Sequence, residues 1–349
     1  MSSEQPNQSA SSPPGAFQEL QALWRQTPNT GLFLGLLAAW IALFHFLGNS
    51  TLGYVNTPSV FGWWWWVYTR VAQDVGGTIH SFSDFLEVFK TDEAHAWFIP
   101  FVVVGLLWWR RDELIAMPKK VWWPALGVLI AALLLHALGY MVQQVRLSLV
   151  AFFLGIFGFA GLLWGRAWMR LALFPFALFA FCIPLGPMTE AVTFPLRILA
   201  TKITTGVCQV LLGINVLQNG TQLFDAGGSY QYEVAPACSG IRSLTAILAF
   251  GVIYGYVTLA RAPRRLAMML VALPLAVAGN VFRLTLIVTA AEAFGQSAGS
   301  YVHDSFWFSL APYVPSIGGM LLLGWLLRED RGAKKTESPV LLKEAGQKS

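Results

Sequence analysis

The sequence predicts an all-α fold: a polytopic membrane bundle of about eight transmembrane helices. An outer-face interfacial helix and a short β-hairpin precede the helix that carries a candidate nucleophile. Three observations predict this. First, 56% of the 349 residues are hydrophobic and only 12% are charged, whereas a soluble domain carries about a quarter charged residues. Second, apolar runs near the roughly 17–25 residues needed to cross a bilayer recur along the chain. Third, Lys and Arg crowd into alternate inter-run segments.

Residues 1–28 are polar, rich in Ser, Gln and Pro, and lack the short apolar core of a cleavable signal peptide. They are expected to form a disordered cytoplasmic leader. The first span is Gly31–Gly48. The segment Asn49–Glu93 holds the run Trp63–Trp66, Arg70 and several Asp, and suits an aromatic-anchored interfacial loop or a re-entrant helix. Span two, Ala94–Trp109, ends at Arg110–Arg111, and Lys119–Lys120 close the next loop. Val121–Val142, Leu147–Trp164 and Leu171–Leu185 are spans three to five.

Met188–Leu212 has helical spacing but carries Glu190, Arg197, Lys202 and several Thr, so it is expected to lie on the outer surface or dip into it. Leu223–Val234 alternates around Gly227–Gly228, a hairpin pattern. Span six is Cys238–Ala260 and span seven Leu266–Ala291; a short loop, Glu292–Asp304, leads to span eight, Ser305–Leu327. The membrane domain is thus residues 29–328, with a tail at 329–349.

Eight spans put both termini on one side. With the termini inside, inner segments hold sixteen of the 23 Lys and Arg, and outer segments hold five: Arg70, Lys90, Arg146, Arg197 and Lys202. That asymmetry favours cytoplasmic termini. It also explains the net charge of +5 as topology rather than as a nucleic-acid surface.

This orientation sorts the polar residues. Cys238 falls at the outer end of span six, after Pro236 and beside Ser239. A thiol there feels the positive end of the helix dipole, which favours thiolate. Arg242 is four residues on, on the same face one turn deeper. Arg283 lies within span seven, about two turns below the outer surface, with Asn280 on its face; a mid-span Arg has few simple structural roles. His303 sits in the outer loop. A thiol, guanidinium groups and an imidazole on one side of a membrane are a set able to perform acyl transfer.

The ordinary readings are inert core for Cys182 and Cys208, and a structural role for His45 and His136 in apolar surroundings. His80 and His95 fall on the outer side. The three cysteines show no CxxC spacing, and no ligand spacing suggests a metal. No cofactor is expected.

The stretch Ala237–Leu244 (Ala-Cys-Ser-Gly-Ile-Arg-Ser-Leu), followed by Asn280-Val-Phe-Arg283 and then His303, resembles the exosortase/archaeosortase family of polytopic membrane cysteine transpeptidases. The resemblance extends upstream through His95–Pro100, Leu106–Arg111 and Pro187–Arg197, covering about residues 90–310. It implies that Cys238 is the nucleophile, His303 the proton-transfer residue and Arg283 the orienting or oxyanion group, with Arg242, Ser239 and Asn280 supporting. It implies exported protein substrates with a C-terminal tripartite signal: a short motif (Pro-Glu-Pro in many bacterial systems), an apolar helix and a basic tail. Such a substrate is cleaved through a thioester and passed to an acceptor or to water, at the outer face of the inner membrane of Gram-negative bacteria, often alongside exopolysaccharide production. The chain departs from the family pattern at Pro236, where many members carry an acidic residue, and in Asp304-Ser-Phe-Trp307 after the histidine, where a common glycine is missing. Two other readings stand beside it. One is a transporter or assembly scaffold whose arginines line an anion path; the other is an intramembrane protease that only hydrolyses.

Overall fold

The computed structural model describes residues 26–48, 57–68, 94–184, 190–233 and 241–328. Most of the leader, the C-terminal tail, His80, Pro236, Cys238 and Ser239 therefore lie outside the described residues. The described part is mostly helical. Among the described residues, three stretches are long and apolar enough to cross a bilayer: Val145–Trp164, Ala262–Phe294 and Trp307–Leu326. Shorter apolar helices accompany them at Thr30–Phe46, His95–Trp109, Ala125–Met141 and Leu244–Thr258. The described residues divide into two compact units, one of 26–48, 57–68 and 96–184 and one of 94–95, 190–233 and 241–328.

The first unit contains α1 (Thr30–Phe46), α2 (Val60–Tyr68), α3 (Ile99–Trp109), α4 (Arg111–Ala116), α5 (Ala125–Met141), α6 (Val145–Trp164) and α7 (Arg166–Ala177). The Trp63–Trp66 run is helical, within α2. Trp63 and Val60 are buried with Trp40, Phe44 and Phe152. α6 is the centre of the unit and packs closely through small residues, as membrane helices do. Gly155 leaves room for the Trp40 ring, whose indole N–H donates to the Phe152 carbonyl at 3.0 Å.

His136 is tied down on both sides, 3.0 Å from the Ser148 hydroxyl and 3.1 Å from the Leu47 carbonyl oxygen. His45 lies 3.1 Å from the Ser59 hydroxyl. Both imidazoles thus cross-link helices. Cys182 is fully buried, its thiol 3.6 Å from the Ala96 carbonyl oxygen.

The α6–α7 turn is tighter than the sequence pattern implies. Gly165 alone makes it, at φ 96° and ψ 176°, a region open essentially to glycine. The helix resumes at once, so Arg166 and Arg170 ride on α7 rather than in a loop. Gly165→Ala is expected to cost about 1–3 kcal/mol, because the added methyl also meets the Lys120 carbonyl oxygen at 2.7 Å. The measurement is the unfolding midpoint in mixed detergent micelles, and an unchanged midpoint would show that the turn relaxes.

The second unit is built on α8 (Glu190–Leu211), strands β1 (Val216–Asn219), β2 (Gln222–Asp225) and β3 (Gln231–Glu233), and helices α9 (Ile241–Thr258), α10 (Ala262–Phe294), α11 (Gln296–Asp304), α12 (Phe306–Ser309) and α13 (Tyr313–Leu326). The 33-residue α10 is its axis, touching α8, α9, α11 and α13. Close approach again uses small residues: Gly279 faces the Pro312 backbone and Ser316, and Gly319 faces Leu275.

Two expectations are corrected here and a third is refined. The Leu223–Val234 hairpin is present as β2 paired antiparallel with β3, but β1 adds a third strand in the order β1-β2-β3. The overlooked signal is Gly220, which opens the two-residue turn Gly220–Thr221 between paired Asn219 and Gln222 at φ 60°. The supposed loop Glu292–Asp304 is mostly helix: α10 continues to Phe294, Gly295 turns the chain at φ 86°, and α11 follows.

The third concerns α8, whose polar stripe faces inward. Thr193, Arg197, Thr201 and Thr204 are between 0% and 4% exposed, while Phe194, Val210 and Leu211 are 47%, 81% and 74% exposed. The Arg197 guanidinium lies 5.3 Å from the Phe194 ring. Lys202 of the same helix is exposed, so the outward surface of α8 is mostly apolar with one charge.

Candidate functional site

The site is built where the C-terminal half of α10, the sheet and α11 meet. Val216, Leu223 and Tyr230 of the sheet form one buried cluster with Leu284, Ile287, Val288 and Ala291 of α10, Val302 of α11 and Cys208 of α8. This core gives Cys208 a packing role. It fixes the sheet against the end of α10. Burial is the main cause that pushes the Tyr230 hydroxyl's pKa well above its ordinary value, with the Glu292 carboxylate adding to it. In the β2–β3 turn, the backbone N–H of Gly227 is the main cause holding the Asp225 carboxyl below its ordinary range.

β3 is latched to the start of α11 by side chain and backbone together. The Gln231 N–H donates to Gln296 Oε1 at 3.0 Å, and Gln296 Nε2 donates back to the Gln231 carbonyl at 3.3 Å. The amide of Gln296 thus imitates a neighbouring strand. Tyr232 donates its hydroxyl to the Gln296 carbonyl at 2.7 Å. Its ring lies against Gly299, a position where any Cβ would collide with it.

Arg283 lies eleven residues before the end of α10 at Phe294, roughly 16 Å of helix. That is deeper below the helix end than a span closing at Ala291 implies. The fold compensates, because α11 packs back along α10 and carries His303 in its last turn. Arg283 Nη2 donates to the His303 carbonyl oxygen at 3.1 Å. Two residues twenty apart in sequence are thereby joined.

His303 Nδ1 lies 2.7 Å from Asp304 Oδ1, with the imidazole 32% and the carboxylate 76% exposed. In the neutral ring, a proton held at Nδ1 by that carboxylate leaves the lone pair on Nε2. Asp304 was noticed in the sequence only as a departure from the family pattern. Its adjacency to His303 was the signal that could have identified it as a partner.

Asn280 is 3% exposed, and its Nδ2 has no hydrogen-bond partner among the described residues. It lines a small groove with Val277 of α10, Thr193, Leu196 and Ala200 of α8, and Leu244 of α9. The backbone of Arg242 lies in the first turn of α9. Among the described residues, no group of three or more His, Cys, Asp or Glu is placed to hold a metal ion. The arrangement therefore offers a cation and a carboxylate-supported imidazole beside β3, the strand that precedes Cys238 in sequence.

Comparison with curated proteins and with solved structures gives no match. The family model for transmembrane exosortases matches residues 88–311, more than half of the chain and including every residue of the site above, so the chain belongs to the transmembrane exosortase family.

Proposed function

We propose that the protein is a membrane-embedded cysteine protease and transpeptidase that cleaves C-terminal tripartite sorting signals of exported proteins. The observation that carries this reading is the Arg283–His303 contact, held beside β3 by the Tyr232–Gln296 latch. Family membership supports it. Cys238 is three residues before Ile241 and five after Glu233. The covalent chain therefore keeps its Cα within about 11 Å of the start of α9 and about 19 Å of the end of β3.

In this mechanism the Cys238 thiolate attacks the scissile carbonyl carbon. Arg283 stabilises the oxyanion or orients the carbonyl. The C–N bond breaks, and His303 gives its proton to the departing amine. The substrate remains as a thioester until an acceptor amine or a water, deprotonated by His303, attacks it and releases the thiol. Ser239 and Arg242 support the thiolate. Eight spans with cytoplasmic termini would put this chemistry at the outer face of the inner membrane, with the substrate's basic tail inside.

The test is a reporter carrying a tripartite tail from the same genome, co-expressed with the native chain and followed by gel shift. Cleavage supports the reading, and mass spectrometry of the new C-terminus separates transfer from hydrolysis. No cleavage with any such tail by a correctly inserted chain overturns it.

Asp304→Asn is expected to lower kcat by roughly 10–100-fold, less than for a buried catalytic carboxylate because Asp304 is solvated. The pH–rate profile is the discriminating measurement. Losing the carboxylate removes the group that holds the Nδ1 proton of His303, so the profile changes if that pair is essential. A wild-type profile and rate would remove Asp304 from the mechanism.

A further inference from the structure

We infer that the groove between α8, α9 and α10 is a subsite for the substrate segment just beyond the scissile bond, taking one small apolar side chain and hydrogen-bonding its peptide backbone through Asn280. This rests on the proposed function and adds to it a place and a selectivity.

Four observations support it. Asn280 is three residues before Arg283 on α10, roughly 4.5 Å along the axis, so the groove adjoins the Arg283 position. The Asn280 side chain is 3% exposed with its Nδ2 unpartnered among the described residues. A buried amide donor left unmade is costly, and such a group in a native protein calls for a partner. The rest of the lining is mostly apolar, from Leu196, Ala200, Leu244 and Val277. Finally, the innermost space is about that of one water molecule, so it admits a methyl-sized tip and nothing larger, with the backbone lying outside it.

The chemistry of the occupant follows. An acyl chain of lipid offers Asn280 no acceptor. A continuous helix offers none either, because its carbonyls are bonded internally except in the last turn. An extended peptide entering the top of a helix has unbonded carbonyls and N–H groups, and a side-chain amide answers both. The residues joining a cleavage motif to an apolar tail helix have that character. Ala200, without a side chain beyond Cβ, lets such a backbone come close.

The experiment places Trp at each of the first four residues after the motif of the cleaved reporter, in four separate substrates. One position is expected to lose at least about 10-fold in kcat/KM with the native enzyme, and Val277→Ala or Leu244→Ala to recover that substrate selectively. With the unmodified tail, Asn280→Ala is expected to raise KM about 10-fold and leave kcat within about twofold, the pattern of a lost binding contact.

Indifference to Trp at all four positions overturns the subsite while leaving the proposed function intact. So does a blocked position that neither enlarged groove recovers. An Asn280→Ala enzyme with unchanged KM also overturns it, and marks the groove as the seat of a buried water only. Failure of the native chain to cleave any tail overturns both readings.

Discussion

Cys238→Ala is expected to abolish reporter processing, with a loss of about 10⁴–10⁶-fold in kcat. That is the range for removing a nucleophile whose partners act only through it. The reasoning is chemical. Arg283 and His303 can polarise a carbonyl and move a proton, but without a thiolate no acyl-enzyme forms and the difficult step is no longer split in two. Cys182→Ala and Cys208→Ala are the controls. Both thiols are buried and packed, so these changes should cost stability and leave the chemistry in place. Processing by Cys238→Ala at the native rate would sink the thioester mechanism and favour the transporter or scaffold reading of the same arginines. Trapping supplies an independent readout: native enzyme treated with hydroxylamine should release a substrate hydroxamate, and the alanine variant none.

Arg283→Lys is expected to lower kcat by about 10²–10³-fold, the usual loss for one oxyanion-stabilising donor. A lysine keeps the charge but not the planar fork. In the present geometry one arm of that fork is engaged with the His303 carbonyl oxygen. An ammonium cannot both hold that carbonyl and address a second oxygen in the same plane. The conservative change therefore separates two roles. If a positive charge alone matters, Arg283→Lys retains activity close to the native rate. If one side chain must orient both α11 and the substrate, Arg283→Lys fails nearly as badly as Arg283→Ala. Solvent accessibility of His303 to a histidine-selective reagent reports whether α11 has loosened, which activity alone does not distinguish.

The legible and the illegible parts of the molecule divide along physical lines. Most apolar runs coincide with helices, because length and composition report burial in hydrocarbon directly, but the run Leu171–Leu185 is α-helical only to Ala177 and the run Ser305–Leu327 is broken between Ser309 and Tyr313. Val145–Trp164 and Ala262–Phe294 differ from the predicted spans by a few residues at their ends. The motif from Ala237 to Leu244, Asn280, Arg283 and His303 pointed to the family that the chain belongs to. What local pattern did not convey was direction. α8 shows helical amphipathicity in either surrounding, but periodicity does not say which face meets the protein. The fold turns Thr193, Arg197 and Thr201 inward and leaves Lys202 exposed.

By itself, then, the sequence determined a helical membrane protein, its family and the residue types of its site, because hydrophobic length and an ordered set of reactive side chains are properties of the chain alone. Only the tertiary structure decided that α10 overshoots Arg283 and that α11 returns along it to bring His303 within hydrogen-bond reach. It alone joined β3 to that corner through Tyr232 and Gln296. Those contacts pair residues 20 and more than 60 positions apart. Each involves the helix that starts at the Gly295 turn, whose consequences are felt only where the chain comes back to meet itself.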